Sequence, residues 1–244
     1  MGFSGEERTA WLASLHATFG LRFDAEATLD RVDAWRDAWR PARVRALIVA
    51  DSHEAGLPGD ERVQVAVPGV GDLPTSYARV VHCPGYGESD LCKPMPRANR
   101  GALPRWDLLG QVALGDGSTL PPSLDLHARI AWKLDVLRRL KARGIWFAHA
   151  SVVAVRGEGG RHETGRVYDA LLRDSWERFV WPSVADDAPV RVWTVGRPVA
   201  RALGGLPGID RDRVLEQPPV RDPKRYRETV LRLVADLAEA CPPG

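Results

Sequence analysis

A chain of 244 residues with 44% hydrophobic and 27% charged side chains has the material for one large core and fits a single domain. Its net charge of +2, from 34 basic against 32 acidic residues, excludes a strong overall field for nucleic acid and leaves only a local basic groove. Three cysteines, Cys83, Cys92 and Cys241, make an odd count with no CxxC pair, so neither a disulfide framework nor a zinc site is indicated. Lysine appears only at Lys93, Lys133, Lys141 and Lys224, so arginine, the better bidentate partner for phosphate, carries most of the positive charge. The opening MGFSGEERTAWLASLHATFG lacks the basic flank and apolar core of a secretory leader. Its Met1-Gly2-Phe3-Ser4 start lacks the Ser or Thr of a myristoylation signal, and no apolar run approaches a membrane span. A soluble, cytoplasmic protein with no membrane partner is expected.

Residues 1–42 read as a helical lead-in. Trp11, Leu12, Leu15 and Phe19 recur at helical spacing within 5–19, as do Leu29, Val32, Trp35 and Trp39 within 24–40, before Pro41 stops the second helix. Arg45–Ala50 is a continuous apolar run, the pattern of a strand buried on both faces of a parallel sheet. Residues 57–122 read as a Pro- and Gly-rich insert. It holds two short strand-like pieces, Val63–Val67 and Ala78–His82, and then a long loop, GYGESDLCKPMPRANRGALPRW. The rest alternates regularly: a helix over 123–143 closed by Gly144, a strand over 145–155, a helix over Val167–Trp181 and a strand over Val190–Val195. A helix begins at Gly196, Val214–Glu216 is a short strand, and Tyr226–Ala240 is the last helix. This alternation predicts a three-layer α/β/α sandwich with a short, mainly parallel central sheet, in which ligands bind beyond the carboxyl ends of the strands.

Those ends nominate the candidate residues: Asp51-Ser52-His53-Glu54 after the first strand, His149 and Ser151 near the second, Gly196-Arg197 after the third, and Gln217-Pro218-Pro219 after the fourth. Asp51 reads either as a turn or capping carboxylate or as one that activates water or stabilises a developing cation. His53 is an acid–base candidate or a solvated loop histidine. Ser52 is a nucleophile only with a histidine and an orienting acid in reach. ADSHEAG is similar to the GDSxxxG turn of GDSL-type esterases, but Ala50 replaces the first glycine and no histidine follows His162 to complete that family's triad. His149, flanked by Ala148 and Ala150, is either a satisfied core histidine or a polar probe lining a pocket. His82, Cys83 and Cys92 make a poor metal set without a fourth partner. GYGES (85–89) does not open a helix and reads as loop geometry rather than a phosphate loop. Trp106, placed in the long loop, is the best candidate for a face on which a base stacks.

The order of these motifs resembles the uracil-DNA glycosylase superfamily. GIWFAHASVVAVRGEGGRHE (144–163) is similar to the strand that carries the family's base-reading asparagine and puts His149 at that position. ADSHEAG (50–56) then overlies the water-activating motif with Asp51 nearest its acidic position. VLEQPP (214–219) overlies the closing motif, with Gln217 where histidine is expected, and VRVWTVGRPVARAL (190–203) looks like the strand and helix before it. The likeness spans roughly 43–56 and 123–240, and the 57–122 insert has no counterpart, although Tyr77, Tyr86 or Trp106 could supply a stacking ring.

The resemblance implies hydrolysis of an N-glycosidic bond in DNA or a nucleoside, in the manner of a DNA-repair glycosylase, without a cofactor. Catalytic roles fall to Asp51, His53 and Gln217, and substrate contacts to Ser52, His149, Ser151, Trp106 and Arg197. A duplex substrate requires base flipping and a phosphate-gripping face, for which Arg197, Arg201, Arg211, Arg213, Arg221 and Arg225 are the candidates. The competing reading is a binding module of the same fold that recognises a nucleotide or nucleic acid without turnover.

Overall fold

The computed structural model describes residues 5–65, 71–88, 90–91, 102–115, 119–120, 124–154, 165–216 and 222–242. Four parallel strands form one sheet in the order β2-β1-β3-β4, with β1 at Ala46–Ala50, β2 at Ile145–His149, β3 at Arg191–Val195 and β4 at Val214–Leu215. The central strand β1, sequence ALIVA, is buried along its whole length, as its unbroken apolar run predicts. It pairs with β2 from Ala46↔Ile145 to Ala50↔His149 and with β3 from Ala46↔Arg191 to Val49↔Thr194.

Alternate side chains of these strands enter two separate cores. Ala46, Ile48, Ile145, Phe147 and Trp193 face a core shared with α3 (Leu103–Leu114), α4 (Leu126–Ala142) and α7 (Pro223–Ala240). Leu47, Val49, Trp146, Ala148 and Val192 face the other, built with α1 (Gly5–Phe19), α5 (Gly165–Ser175) and α6 (Arg197–Leu203). The helix α2 (Glu26–Trp39) serves both, with Leu29 in the second core and Val32, Trp35 and Trp39 in the first. The result is the expected three-layer α/β/α sandwich.

The topology singles out one position on the sheet. The chain leaving β1 passes to the α3/α4 side, whereas the chains leaving its neighbours β2 and β3 pass to the α5/α6 side. Connections that diverge to opposite faces open a crevice outside the carboxyl ends of those strands. The residues that follow β1, beginning with Asp51, sit at that crevice.

Three expectations need correction. The long loop contains α3: Pro104 occupies its first turn, and Gly115 ends it with φ 73°. The apolar spacing of Trp106, Leu109, Val112 and Ala113 supplies the buried face that holds this helix to the sheet. The strand expected over 145–155 ends at His149, and 150–154 leave the sheet as bends. Of the two strand-like pieces of the insert, the first yields only an isolated antiparallel bridge, Gln64 to Ser76, with Val67 outside the described residues, and 78–82 is buried but irregular.

Outside α3, buried ion pairs help order the described parts of the insert. Arg79 donates to both carboxylate oxygens of Asp60, at 2.7 and 3.2 Å. Lys133 of α4, fully buried, donates to Glu88 at 2.5 Å and to the Tyr86 carbonyl at 3.0 Å, with its ammonium 4.9 Å from the Trp106 ring centre. Arg129 donates to the other Glu88 oxygen at 2.8 Å. Residues 85–87 form turns, as the loop reading of GYGES expects, with Ser89 outside the described residues, and a Cβ on Gly85 would come within 2.9 Å of Val65 Cγ2. No described helix is long and apolar enough to cross a membrane.

Candidate functional site

The backbones of Asp51 and His149 run close together at the carboxyl edge of the sheet, because Ala50 and His149 are register partners and Ser151 N–H donates to the Asp51 carbonyl at 2.8 Å, while strand alternation sends their side chains to opposite faces. By strand alternation Asp51 follows Leu47 and Val49 toward α5. Tyr168 of that helix stands close enough for the Asp51 charge, after burial, to help hold its phenol protonated. Asp51 is buried, with 7% of its surface exposed.

On the other side of Asp51 stands Arg105, from the first turn of α3, with Nη2 3.7 Å from Asp51 Oδ1. Its Nη1 donates toward the Tyr86 hydroxyl at 3.5 Å. Burial raises the Tyr86 phenol pKa, opposed by Arg105 and reinforced by a hydrogen bond with Glu54, so the phenol stays protonated. The backbone here is anchored by the residue next to Arg105. Trp106 is fully buried and donates from Nε1 to the Tyr86 carbonyl at 3.2 Å.

His149 follows Phe147 onto the α3/α4 side of the sheet, where its ring meets that of His82 at 5.9 Å, inclined by 66°. Nδ1 of His149 and both ring nitrogens of His82 are buried without a well-formed hydrogen bond among the described residues. Burial is the main reason both rings are held neutral, His82 with its pKa lowered to about 3 and His149 well below the usual histidine value, with the Arg36 charge adding to both shifts. Each neutral imidazole carries one donor and one acceptor, and buried groups of this kind ordinarily have partners. These three nitrogens are enclosed in the structure rather than presented at its surface, and a backbone hydrogen bond with Phe147 acts on His82.

Arg36 supports this floor from beneath. It is 2% exposed and donates to Asp33 Oδ1 at 2.9 Å, to the Val152 carbonyl at 3.0 Å and to His53 Nδ1 at 3.2 Å. His53 Nε2 then faces Asp24 Oδ2 at 3.3 Å. With Nδ1 accepting from a guanidinium, the proton of the neutral ring lies on Nε2, and burial lowers the pKa further. The expected acid–base role of His53 is therefore not supported: both ring nitrogens are engaged in holding the loop after β1. Ser52 donates to the His53 carbonyl at 3.0 Å, so no Ser–His–acid relay is assembled there. Ser151 is also structural, its hydroxyl accepting from the Val153 N–H at 3.2 Å.

Other candidates separate from this cluster. Trp106 cannot offer a stacking face, since it is buried inside the α3/α4 core. Arg197 is largely exposed, pairs with Glu216 at 3.1 Å and lines a cavity of about 700 Å³ away from Asp51, with Arg211, Arg225 and Arg232. Arg201 and Arg213 are committed to Asp169 and Asp236, at 2.9 and 3.0 Å. Gln217 and Arg221 lie outside the described residues, as does Cys92. Burial raises Cys83 to about 12, which keeps it a protonated thiol and a poor metal ligand, and the described residues contain no metal-ligating cluster.

Arg105, Tyr168, Glu54 and Arg36 are the members of this site to which the sequence reading gave no role. Arg36 did leave a signal, since it occupies the apolar stripe of α2 at 29, 32, 36 and 39.

The neutral histidines make stability depend on pH. A histidine whose folded pKa lies below its unfolded value contributes stability that is present above about pH 6.5 and lost as pH falls toward the folded pKa. His53, His82 and His149 all shift in this direction. Each should cost about 1.4 kcal/mol per pH unit below that point. Urea unfolding at pH 7 and 5 should show this fall, and His82→Gln should flatten it by one proton. An unchanged slope in the variant would mean that His82 is already protonated in the fold.

No known protein family, curated protein or solved structure matches the chain.

Proposed function

We propose that this protein hydrolyses the N-glycosidic bond of a nucleobase, in DNA or in a nucleoside, in the manner of the uracil-DNA glycosylase superfamily. The observation that supports the reading is that the carboxyl ends of β1 and β2 bring together the Asp51 carboxylate and, on the opposite face, the neutral His149–His82 pair, with the Arg105 charge acting on both Asp51 and His149. Cleavage of such a bond passes through a sugar resembling an oxocarbenium ion, which an adjacent carboxylate stabilises. Asp51 fills that role and orients the attacking water. His149 reads the edge of the base with His82 beside it. The Tyr86 phenol, held in place through Glu88 and Lys133, forms part of the wall. The cavity lined by Arg197, Arg211, Arg225 and Arg232, together with Asp212, Glu216 and Glu228, would meet the backbone phosphates of a nucleic-acid substrate.

A second reading, a base-binding module without turnover, draws on the Asp51–Arg105 pair, which occupies the carboxylate in this structure. Release of free base from single- and double-stranded oligonucleotides and nucleosides carrying uracil, hypoxanthine and other lesions tests the first against the second. Hydrolysis yields free base and an abasic sugar; binding without either product supports the module.

A further inference from the structure

We propose that Arg105 is the catalytic group that stabilises the base as it departs. This rests on the hydrolase reading, and it assigns to the insert a chemical part that its sequence does not disclose. When the bond between C1′ and the base nitrogen breaks, its electron pair leaves with the base. Water oxygen bonds to C1′, and the proton lost by water passes to Asp51 and from there to the base or solvent. The base therefore carries negative charge in the transition state, and a cation or strong donor beside it lowers the barrier.

Arg105 fits this task better than the other groups of the cluster. The His149 and His82 rings are neutral in their buried setting and offer only neutral hydrogen bonds. Both His53 nitrogens face Arg36 and Asp24. Arg36 is spread over Asp33, the Val152 carbonyl and His53, on the far side of that ring. Arg105, in contrast, makes two long contacts, 3.7 Å to Asp51 and 3.5 Å to the Tyr86 hydroxyl. Charge-assisted bonds of full strength are about 2.7–2.9 Å, and a guanidinium has five donors, so Arg105 retains capacity for a ligand.

Placement favours the same role. The Arg105 side chain is 18% exposed beside Asp51, while Trp106 next to it locks the first turn of α3 to the core. A helix anchored to the core thus presents a cation to the reacting centre. In the free protein Arg105 balances the Asp51 charge. With substrate bound it turns its remaining N–H groups to the base.

The test compares Arg105→Gln and Arg105→Lys with wild type on oligonucleotides carrying uracil or 5-fluorouracil, the latter a better leaving group because fluorine stabilises the base anion. Arg105→Gln should slow uracil release by roughly 100- to 1,000-fold. It should slow 5-fluorouracil release at least about tenfold less than that, and Arg105→Lys should recover part of the loss. Equal losses on the two bases, or none, would overturn the assignment, with circular dichroism confirming that both variants are folded. A second arm needs no turnover: free 5-fluorouracil should bind wild type more tightly as it ionises, and Arg105→Gln should abolish that preference. If wild type releases no base at all, the hydrolase reading fails. A pH-independent affinity, or one that Arg105→Gln leaves intact, would then remove Arg105 from the site as well.

Discussion

Glu88→Gln should be the most destabilising single polar substitution in the insert, costing about 3–5 kcal/mol, because it strips a buried ammonium of its counter-charge. Lys133 is fully buried, and without the Glu88 carboxylate it keeps only the Tyr86 carbonyl and the Trp106 ring. Burial already lowers its pKa, and Glu88 is the main opposing influence. For a domain of this size the loss corresponds to a fall in melting temperature of roughly 6–20 °C. Lys133→Met should cost less, since Glu88 then retains Arg129 at 2.8 Å and the thioether fills the volume of the lysine stem. Thermal melts of the two variants check the order. Equal or reversed costs would mean that the insert is held by its apolar contacts rather than by this charge pair. The defect should also reach the site, because the Tyr86 carbonyl is the second acceptor of Lys133 and the Tyr86 hydroxyl lies beside Arg105.

Asp51→Asn should have the largest effect on chemistry and a small one on folding. The amide keeps the shape of the side chain but removes the charge that stabilises the sugar cation and accepts a proton from water. The expected loss in base release is about 100- to 10,000-fold. Substrate affinity should change far less. Arg105 would lose its partner, yet that contact spans 3.7 Å and is partly open to solvent, so little stability rests on it. A parallel loss of melting temperature and activity would reassign Asp51 to the structural role that its position after a strand also allows. Unchanged base release in a folded variant would remove it from the mechanism.

The sheet was legible in the sequence because its strands are short, apolar and separated by amphipathic helices. ALIVA, IWFAH and RVWTV needed no tertiary information to be recognised as buried strands. The same logic located the crevice, since the carboxyl ends of a parallel sheet collect whatever polar residues follow it. Roles were harder to read than places. Ser52, His53 and Ser151 carry chemically capable side chains, but in the fold they hold the backbone that presents Asp51 and His149. Nothing local distinguishes such a residue from a catalytic one, because the difference lies in partners distant in sequence, such as Arg36 and Asp24 for His53.

The insert was misread for a related reason. Its order comes from Arg79–Asp60 and Lys133–Glu88, pairs separated by 19 and 45 residues, and no periodicity announces a buried ion pair. Trp106 was a plausible exposed ring only while α3 was read as loop; once Leu109 and Val112 are placed on the same face, it belongs to the core. Two basic residues did leave a trace. Arg36 and Lys133 each interrupt an apolar stripe, at positions where a helix meets its core, and both prove to be buried cations with structural duties.

The most direct measurement of whether a base occupies this site is an NMR titration of Asp51→Asn, with ¹⁵N-labelled histidine, by free uracil and hypoxanthine. The account predicts large shifts of the ring nitrogens of His149 and His82, with smaller ones at His53, where both nitrogens already face protein groups. Saturable binding that leaves His149 and His82 unmoved would place the ligand elsewhere and contradict the account.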